Sequence, residues 1–179
     1  DTHPILTKSI TSAFIAQMGD VLSQYIESRT DRREFSLDFI RTARFGLLGF
    51  CLVGPVIHKW YDTVARLFPG STVSVVIKRV AIDQLFFAPI FLPTFLSSLW
   101  VLENKEIDGL IPALQQQVPS AIIVNWGIWI PAQIINFRFT PAKYQVLFSN
   151  VVAVLWNTYL SYTIHNDSSE EENIGETNS

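Results

Sequence analysis

Asp83 and Gln84 stand side by side at the head of an apolar run, "VAIDQLFFAPIFLP" from Val80 to Pro93. A carboxylate and an amide set among leucine, isoleucine and phenylalanine can make a hydrogen-bonded joint or line a hydrated path. Either use needs polar groups on facing segments. Arg79 lies one helical turn before Asp83 on the same face, so a local ion pair is the plainer use of the acid. Further on, Asn125, Trp129, Gln133 and Asn136 share one helical face, and Asn150, Asn157 and Ser161 share another. Two amide stripes suit a polar seam between their helices, each contact worth about 0.6–2 kcal/mol. The sharper reading is a path for small polar solutes. The spacing alone favours the seam.

Other candidates for chemistry are weaker. In "HKWYDTVAR", His58, Asp62 and Arg66 follow one another at one-turn steps and read as the ion-paired end of a helix. A catalytic His–Asp pair needs a nucleophile placed against it, and the sequence points to none. No catalytic residue, and no enzyme, is expected. His3, His58 and His165 match no metal motif, and the single Cys51 excludes an internal disulfide and a cysteine-rich metal site. No glycine-rich phosphate loop is present. Neither a metal nor a cofactor is expected, and a net charge of −3 argues against a nucleic-acid partner.

The elements that must hold these residues are set by where the apolar residues fall. A hydrophobic share of 49 % is near the globular norm and does not by itself specify a membrane protein. Four runs, however, are apolar over roughly the 20 residues that a bilayer demands of a helix. They are Phe45–Tyr61, Val80–Leu102, Val118–Ile135 and Tyr144–Ile164. Period-two alternation is absent, which argues against strands. Pro55, Pro89, Pro93 and Pro131 interrupt these runs. In a soluble helix each would cost about 3 kcal/mol, whereas neighbouring helices in a membrane can re-satisfy the freed carbonyls. Trp60, Tyr61, Trp100, Tyr159 and Tyr162 lie near run ends, as interfacial aromatics do. Gly46, Gly49 and Gly54 give one helix a thin surface suited to close packing.

Ahead of the runs, Thr7–Glu27 is helical in pattern but amphipathic. Ile10, Phe14, Val21 and Tyr25 fall on its apolar side; Gln17, Asp20, Gln24 and Glu27 share the other. Such a helix either spans within a bundle or lies along the interface. The expected fold is therefore all-α: one integral membrane helical bundle over 1–165, with four to five spanning helices including the amphipathic N-terminal one. Residues 166–179 read as an acidic, disordered tail. If all five helices span, Lys8, Lys59, Arg66, Lys78, Arg79, Arg138 and Lys143 share one side. Arg29, Arg32, Arg33, Arg41, Arg44 and Lys105 share the other, and the near balance leaves the orientation open.

Five segments in order, "HPILTKSITSAFIAQMGDVLSQ", "GPVIHKWY", "RVAIDQLFFAP", "NWGIWIPAQIINFRFTP" and "NVVAVLWNTYLS", resemble the Mpv-seventeen / peroxisomal-membrane-protein-twenty-two family from His3 to about His165. The wording "NFRFTPAKYQVLFSN" resembles plant and algal members more closely than animal and fungal ones. The resemblance implies a small helical protein of an organelle membrane: the mitochondrial inner membrane first, a plastid membrane next, the peroxisomal membrane third. It implies channel-like or permease-like handling of small polar solutes and a part in membrane homeostasis. The alternative is a non-catalytic structural or accessory subunit of a larger membrane complex. Partners would be the lipid bilayer, further copies of the chain or that larger complex. The family motifs fall on Gly19, Asp20 and Gln24; on Gly54, Pro55, His58, Trp60 and Tyr61; on Asp83, Gln84 and Pro89; on Asn125, Trp126, Gln133, Asn136 and Phe137; and on Trp156, Asn157, Leu160 and Ser161. The candidate pore or seam residues are then Asp20, Gln24, Asp83, Gln84, Asn125, Gln133, Asn136 and Asn157.

Overall fold

The computed structural model describes residues 4–70, 72–139 and 145–177; side chains at 4, 136–138, 145–147, 150 and 166–177 lie outside that description. The described residues form helices α1 (Pro4–Thr30), α2 (Phe39–Leu48), α3 (Gly54–Leu67), α4 (Val73–Ile82), α5 (Ala88–Leu102), α6 (Leu110–Phe139) and α7 (Gln145–Thr177). A π turn, Gly49–Val53, fuses α2 to α3, and another, Asp83–Phe87, fuses α4 to α5. Among the described residues, three rods are long and apolar enough to cross a bilayer: Phe39–Leu67, Val73–Leu102 and Ile107–Ile135. With α1 and α7 they make an all-α membrane bundle.

The two fused rods repeat each other. Their starts (Phe39, Val73), π turns (Gly49, Asp83) and prolines (Pro55, Pro89) are offset by the same step, a likeness that the side chains hide. In a π turn each N–H reaches back five residues; Gly54 N–H donates to Gly49 O, and Ala88 N–H to Asp83 O. The proline that follows has no N–H to continue the pattern. Each rod therefore carries, near its middle, a carbonyl that the backbone cannot satisfy.

The rods alternate in direction. Asp20, Gln17, Ala13, Ser9 and Lys8 of α1 meet Arg41, Gly46, Gly49, Gly54 and His58 in turn, so α1 runs antiparallel to the first rod. A Cβ on Gly49 would lie 2.7 Å from Ala13 Cα, and one on Gly54 2.5 Å from Ser9 Cα. On its other side α1 packs along α7, where Gly19 lets the Asn157 backbone approach. α7 packs on α6, α6 on α5, and α5 on α2, which closes the ring. Phe45, Leu48, Leu92, Phe95, Leu96, Leu99, Ala121, Trp156, Leu160 and Ile164 fill its centre.

α1 shows which solvent the fold is built for. Ile10, Phe14, Met18, Leu22 and Ile26 form an exposed stripe, while Ser9, Asp20, Ser23, Gln24 and Glu27 are buried. In water this helix would be inside out. In lipid it satisfies its polar face against neighbours and gives its apolar face to the acyl chains. Of the two placements the sequence leaves for this helix, the structure takes the one within the bundle.

The helical backbone of α7 runs on through Asn166–Thr177, where the composition reads as a disordered tail. Extending an existing helix is far easier than nucleating one, and Glu170, Glu171 and Glu172 are good helix formers.

Candidate functional site: buried polar clusters within the bundle

The first cluster is built around Arg41. Asp38 caps α2, accepting from Ile40 and Arg41 backbone N–H groups at 2.9 Å, and this fixes where the helix begins. Arg41 then lies one turn inside, on the same face as the fully buried Phe45. Its Nε donates to Asp20 Oδ1 at 2.8 Å, its Nη1 to Glu27 Oε2 at 2.8 Å, and its Nη2 to Glu27 Oε1 at 2.6 Å and Ser161 Oγ at 2.9 Å. One planar guanidinium thus ties α1, α2 and α7 together, a task that suits its fixed fork of donors. Asp20 also accepts from Ser161 Oγ at 2.7 Å, Thr42 Oγ1 at 2.6 Å and Gln24 Nε2 at 2.8 Å. Gln24 reaches on to Asp38, accepting its backbone N–H at 2.7 Å. Each buried polar atom of Asp20 is matched by a donor, as a low-dielectric interior requires.

The second cluster lies nearer the opposite membrane face. Asp83 and Gln84 open the π turn of the second rod. Trp60 Nε1 donates to Asp83 Oδ1 at 2.7 Å, and Gln84 Nε2 to Asp83 Oδ2 at 2.8 Å. Asn125 Nδ2 donates to Gln84 Oε1 at 2.6 Å, and Trp126 Nε1 to the Gln84 backbone carbonyl at 2.8 Å. That carbonyl is the one that Pro89, five residues on, would have paired had it an N–H. The indole of α6 stands in for the missing amide, so the break in α5 becomes a joint between rods. Trp60 also stacks on Phe87, with ring centroids 4.7 Å apart.

A smaller group closes the face that holds Arg41. His165 Nε2 lies 3.1 Å from Glu103 Oε1, and Lys105 Nζ lies 2.9 Å from Glu103 Oε2. Burial, the largest single influence, pushes the Glu103 carboxyl up. Hydrogen bonds and charge from His165 and Lys105 outweigh it and bring the group down to about 2. Between this face and the second cluster stand Phe45, Leu92, Phe95 and Leu99, so the polar groups do not form one continuous line.

The expected residues divide accordingly. Asp20 and Gln24 belong to the first cluster; Asp83, Gln84 and Asn125 to the second. Asn157 Nδ2 donates to Ala153 O of its own helix at 2.7 Å. Gln133 is half-buried on α6 and bonds to neither cluster among the described residues. The Asn136 side chain lies outside the described residues. Arg79 does not pair with Asp83: its guanidinium donates to Phe68 O at 2.6 Å and Gly70 O at 3.1 Å, closing the turn before α4. The turn's bare carbonyls outcompete Asp83, whose oxygens are already taken by Trp60 and Gln84. Arg41, Glu27, Ser23 and Thr42 are absent from the sequence-derived set. Their signal was Gly46: Thr42 lies one turn before it, on the face that packs against α1.

A family model described as the Mpv17 / PMP22 family matches residues 100–161. The chain is 34 % identical over 164 residues to "PXMP2/4 family protein 2" of Dictyostelium discoideum, covering 90 % of this chain and 85 % of that one. It is 36 % identical over 160 residues to "Mitochondrial inner membrane protein Mpv17" of Danio rerio, covering 89 % of each. It is 34 % identical over 161 residues to "Peroxisomal membrane protein 2" of Bos taurus, covering 89 % of this chain and 82 % of that one. No solved structure matches the chain significantly. Identity of this extent across nearly the whole bundle, joined to its lipid-facing exterior, makes the chain a multi-pass organelle-membrane protein that belongs to the Mpv17 / PMP22 family.

Proposed function

We propose that the chain is a channel-like or permease-like protein for small polar solutes, held here in a closed form. The observation that carries this reading is α1, whose Asp20, Gln24 and Glu27 side chains turn into the bundle while its apolar stripe faces out. Ionisable groups inside a membrane bundle are expensive, and they recur where polar solutes must pass. Phe45, Phe95 and Leu99 are the barrier between the clusters in this state. The Pro-broken π turns are where the rods can bend to part it. Relatives named for the mitochondrial inner membrane support that membrane as the first assignment. A relative named for the peroxisome keeps that membrane as the other candidate.

The test is swelling of liposomes that contain the purified chain, in graded small sugars and amino acids. Flux above that of empty liposomes, raised by Phe45→Ala, supports the reading. No flux in either form defeats it. The filled centre favours a second reading, an accessory subunit of a larger membrane complex. Migration on native gels with named neighbours would support that one, and migration only as a free small oligomer would count against it.

A further inference from the structure

We infer that the end of α1 and the connector after it, Ser28–Phe39, hold the headgroup of an anionic phospholipid. A cleft here is lined by Ser28, Arg29, Arg32, Arg33, Glu34 and Phe35. Its three guanidiniums are not equally committed. Arg33 is engaged by Asp31 at 3.3 Å and by Glu27 at 3.8 Å. Arg29 lies over the Tyr25 ring, 5.1 Å from its centroid, and among the described residues its guanidinium bonds only the phenol oxygen. Arg32 has no carboxylate within ion-pair distance among the described residues. Two cations thus face outward without an anion among the described residues.

The backbone gives an independent sign. α1 ends in a Schellman turn: Arg33 N–H donates to Ser28 O at 3.0 Å. Arg32 occupies the left-handed position of that turn, at φ 53°. Glycine or asparagine is the usual residue there, because a side chain with a Cβ is strained. The matching turn after α5 obeys the rule with Asn104 at φ 54°. At the end of α1 the chain gives up local stability to hold a cation at the cleft.

The setting is the membrane surface. The exposed stripe of α1 ends at Ile26, and the next rod begins with exposed Phe39 and Ile40. Phe35, which lines the cleft with the arginines, packs edge-on to Tyr25, with centroids 5.8 Å apart. A phosphate placed between Arg29 and Arg32 would have its acyl chains beside Leu22, Ile26 and Phe39. Arginine pairs with phosphate through two parallel donors, and a basic segment next to a span draws anionic lipid.

The test uses the full chain in neutral detergent, titrated with phosphatidylglycerol, phosphatidylcholine or inorganic phosphate. Native mass spectrometry counts retained lipid, and melting is followed alongside. Phosphatidylglycerol should be retained in preference to phosphatidylcholine. Arg29→Gln with Arg32→Gln should weaken that retention roughly fivefold per guanidinium removed. Arg32→Gly should weaken it too while leaving melting unchanged or raised, which separates lost binding from lost folding. Equal retention of the two lipids, or unchanged retention in both variants, would overturn the inference. So would inorganic phosphate displacing the lipid at millimolar concentration, since that marks a site for a free anion.

Discussion

Arg41 Nε lies 2.8 Å from Asp20 Oδ1, and Nη2 of the same guanidinium lies 2.6 Å from Glu27 Oε1. One cation therefore holds two acids of α1 against α2. Removing it leaves buried carboxylates without compensation, which costs about 3–5 kcal/mol. Arg41→Met should lower the melting temperature of the detergent-purified chain strongly. Adding Asp20→Asn and Glu27→Gln should recover much of the loss, because no lone charge then remains. Arg41→Lys should fall between, since an ammonium lacks the fork that reaches both acids. Equal melting of all these variants would mean that the cluster is solvated and contributes little.

The bond from Trp126 Nε1 to Gln84 O substitutes for the amide that Pro89 lacks. Trp126→Phe should then cost about 1–2 kcal/mol, the penalty of an unsatisfied buried carbonyl together with lost packing. Pro89→Ala supplies a backbone N–H. In that background Trp126→Phe should cost clearly less. A double-mutant cycle on melting measures the coupling, and strict additivity would refute the substitution.

The approach of α1 to the first rod depends on residues without a Cβ. Gly49→Ala would place Cβ 2.7 Å from Ala13 Cα and Ser12 O, backbone atoms that can give way only if the helices separate. A loss of about 1–3 kcal/mol is expected, as for overpacked cores. Gly127→Ala on α6 is the control, with nothing within 4 Å of the new carbon. It should be neutral or stabilise by up to about 1 kcal/mol through helix propensity. Comparable losses in the two variants would dismiss close packing as the reason for Gly49.

Glu103 links acid to stability. Its carboxyl is held down at about 2, below the ordinary value of 4.5. A depressed carboxylate contributes stability that is complete above the unfolded value and is lost as pH falls through the folded one. The chain should therefore weaken between pH 4.5 and 2 by up to about 3 kcal/mol from this group. Glu103→Gln should flatten melting against pH across that window and leave the profile above pH 5 parallel to the wild type. An identical acid limb in both proteins would show that Glu103 keeps no special partner.

Much of the architecture was legible from local pattern. Apolar runs of bilayer length and misplaced prolines mark spanning helices because lipid removes the need for a polar face. Gly46, Gly49 and Gly54 mark a helix contact because they share one surface. The partners of polar groups were less legible. Asp83 has Arg79 one turn away, yet it bonds to Trp60, twenty-three residues distant. Asn125 lies on a stripe that points toward the last helix, yet it meets Gln84 on the second rod. Arg41 reads as one more interfacial cation until α1 and α7 close over it.

The sequence by itself determined the solvent, the positions of the long apolar segments and which residues share a polar face. These follow from hydropathy and helical periodicity, which are properties of each segment alone. Only the tertiary structure decided which acid meets which cation, and which indole takes the carbonyl that Pro89 leaves bare. Those pairings depend on the order and rotation of helices around the ring, and several helix faces could satisfy the same group equally well until packing selected one.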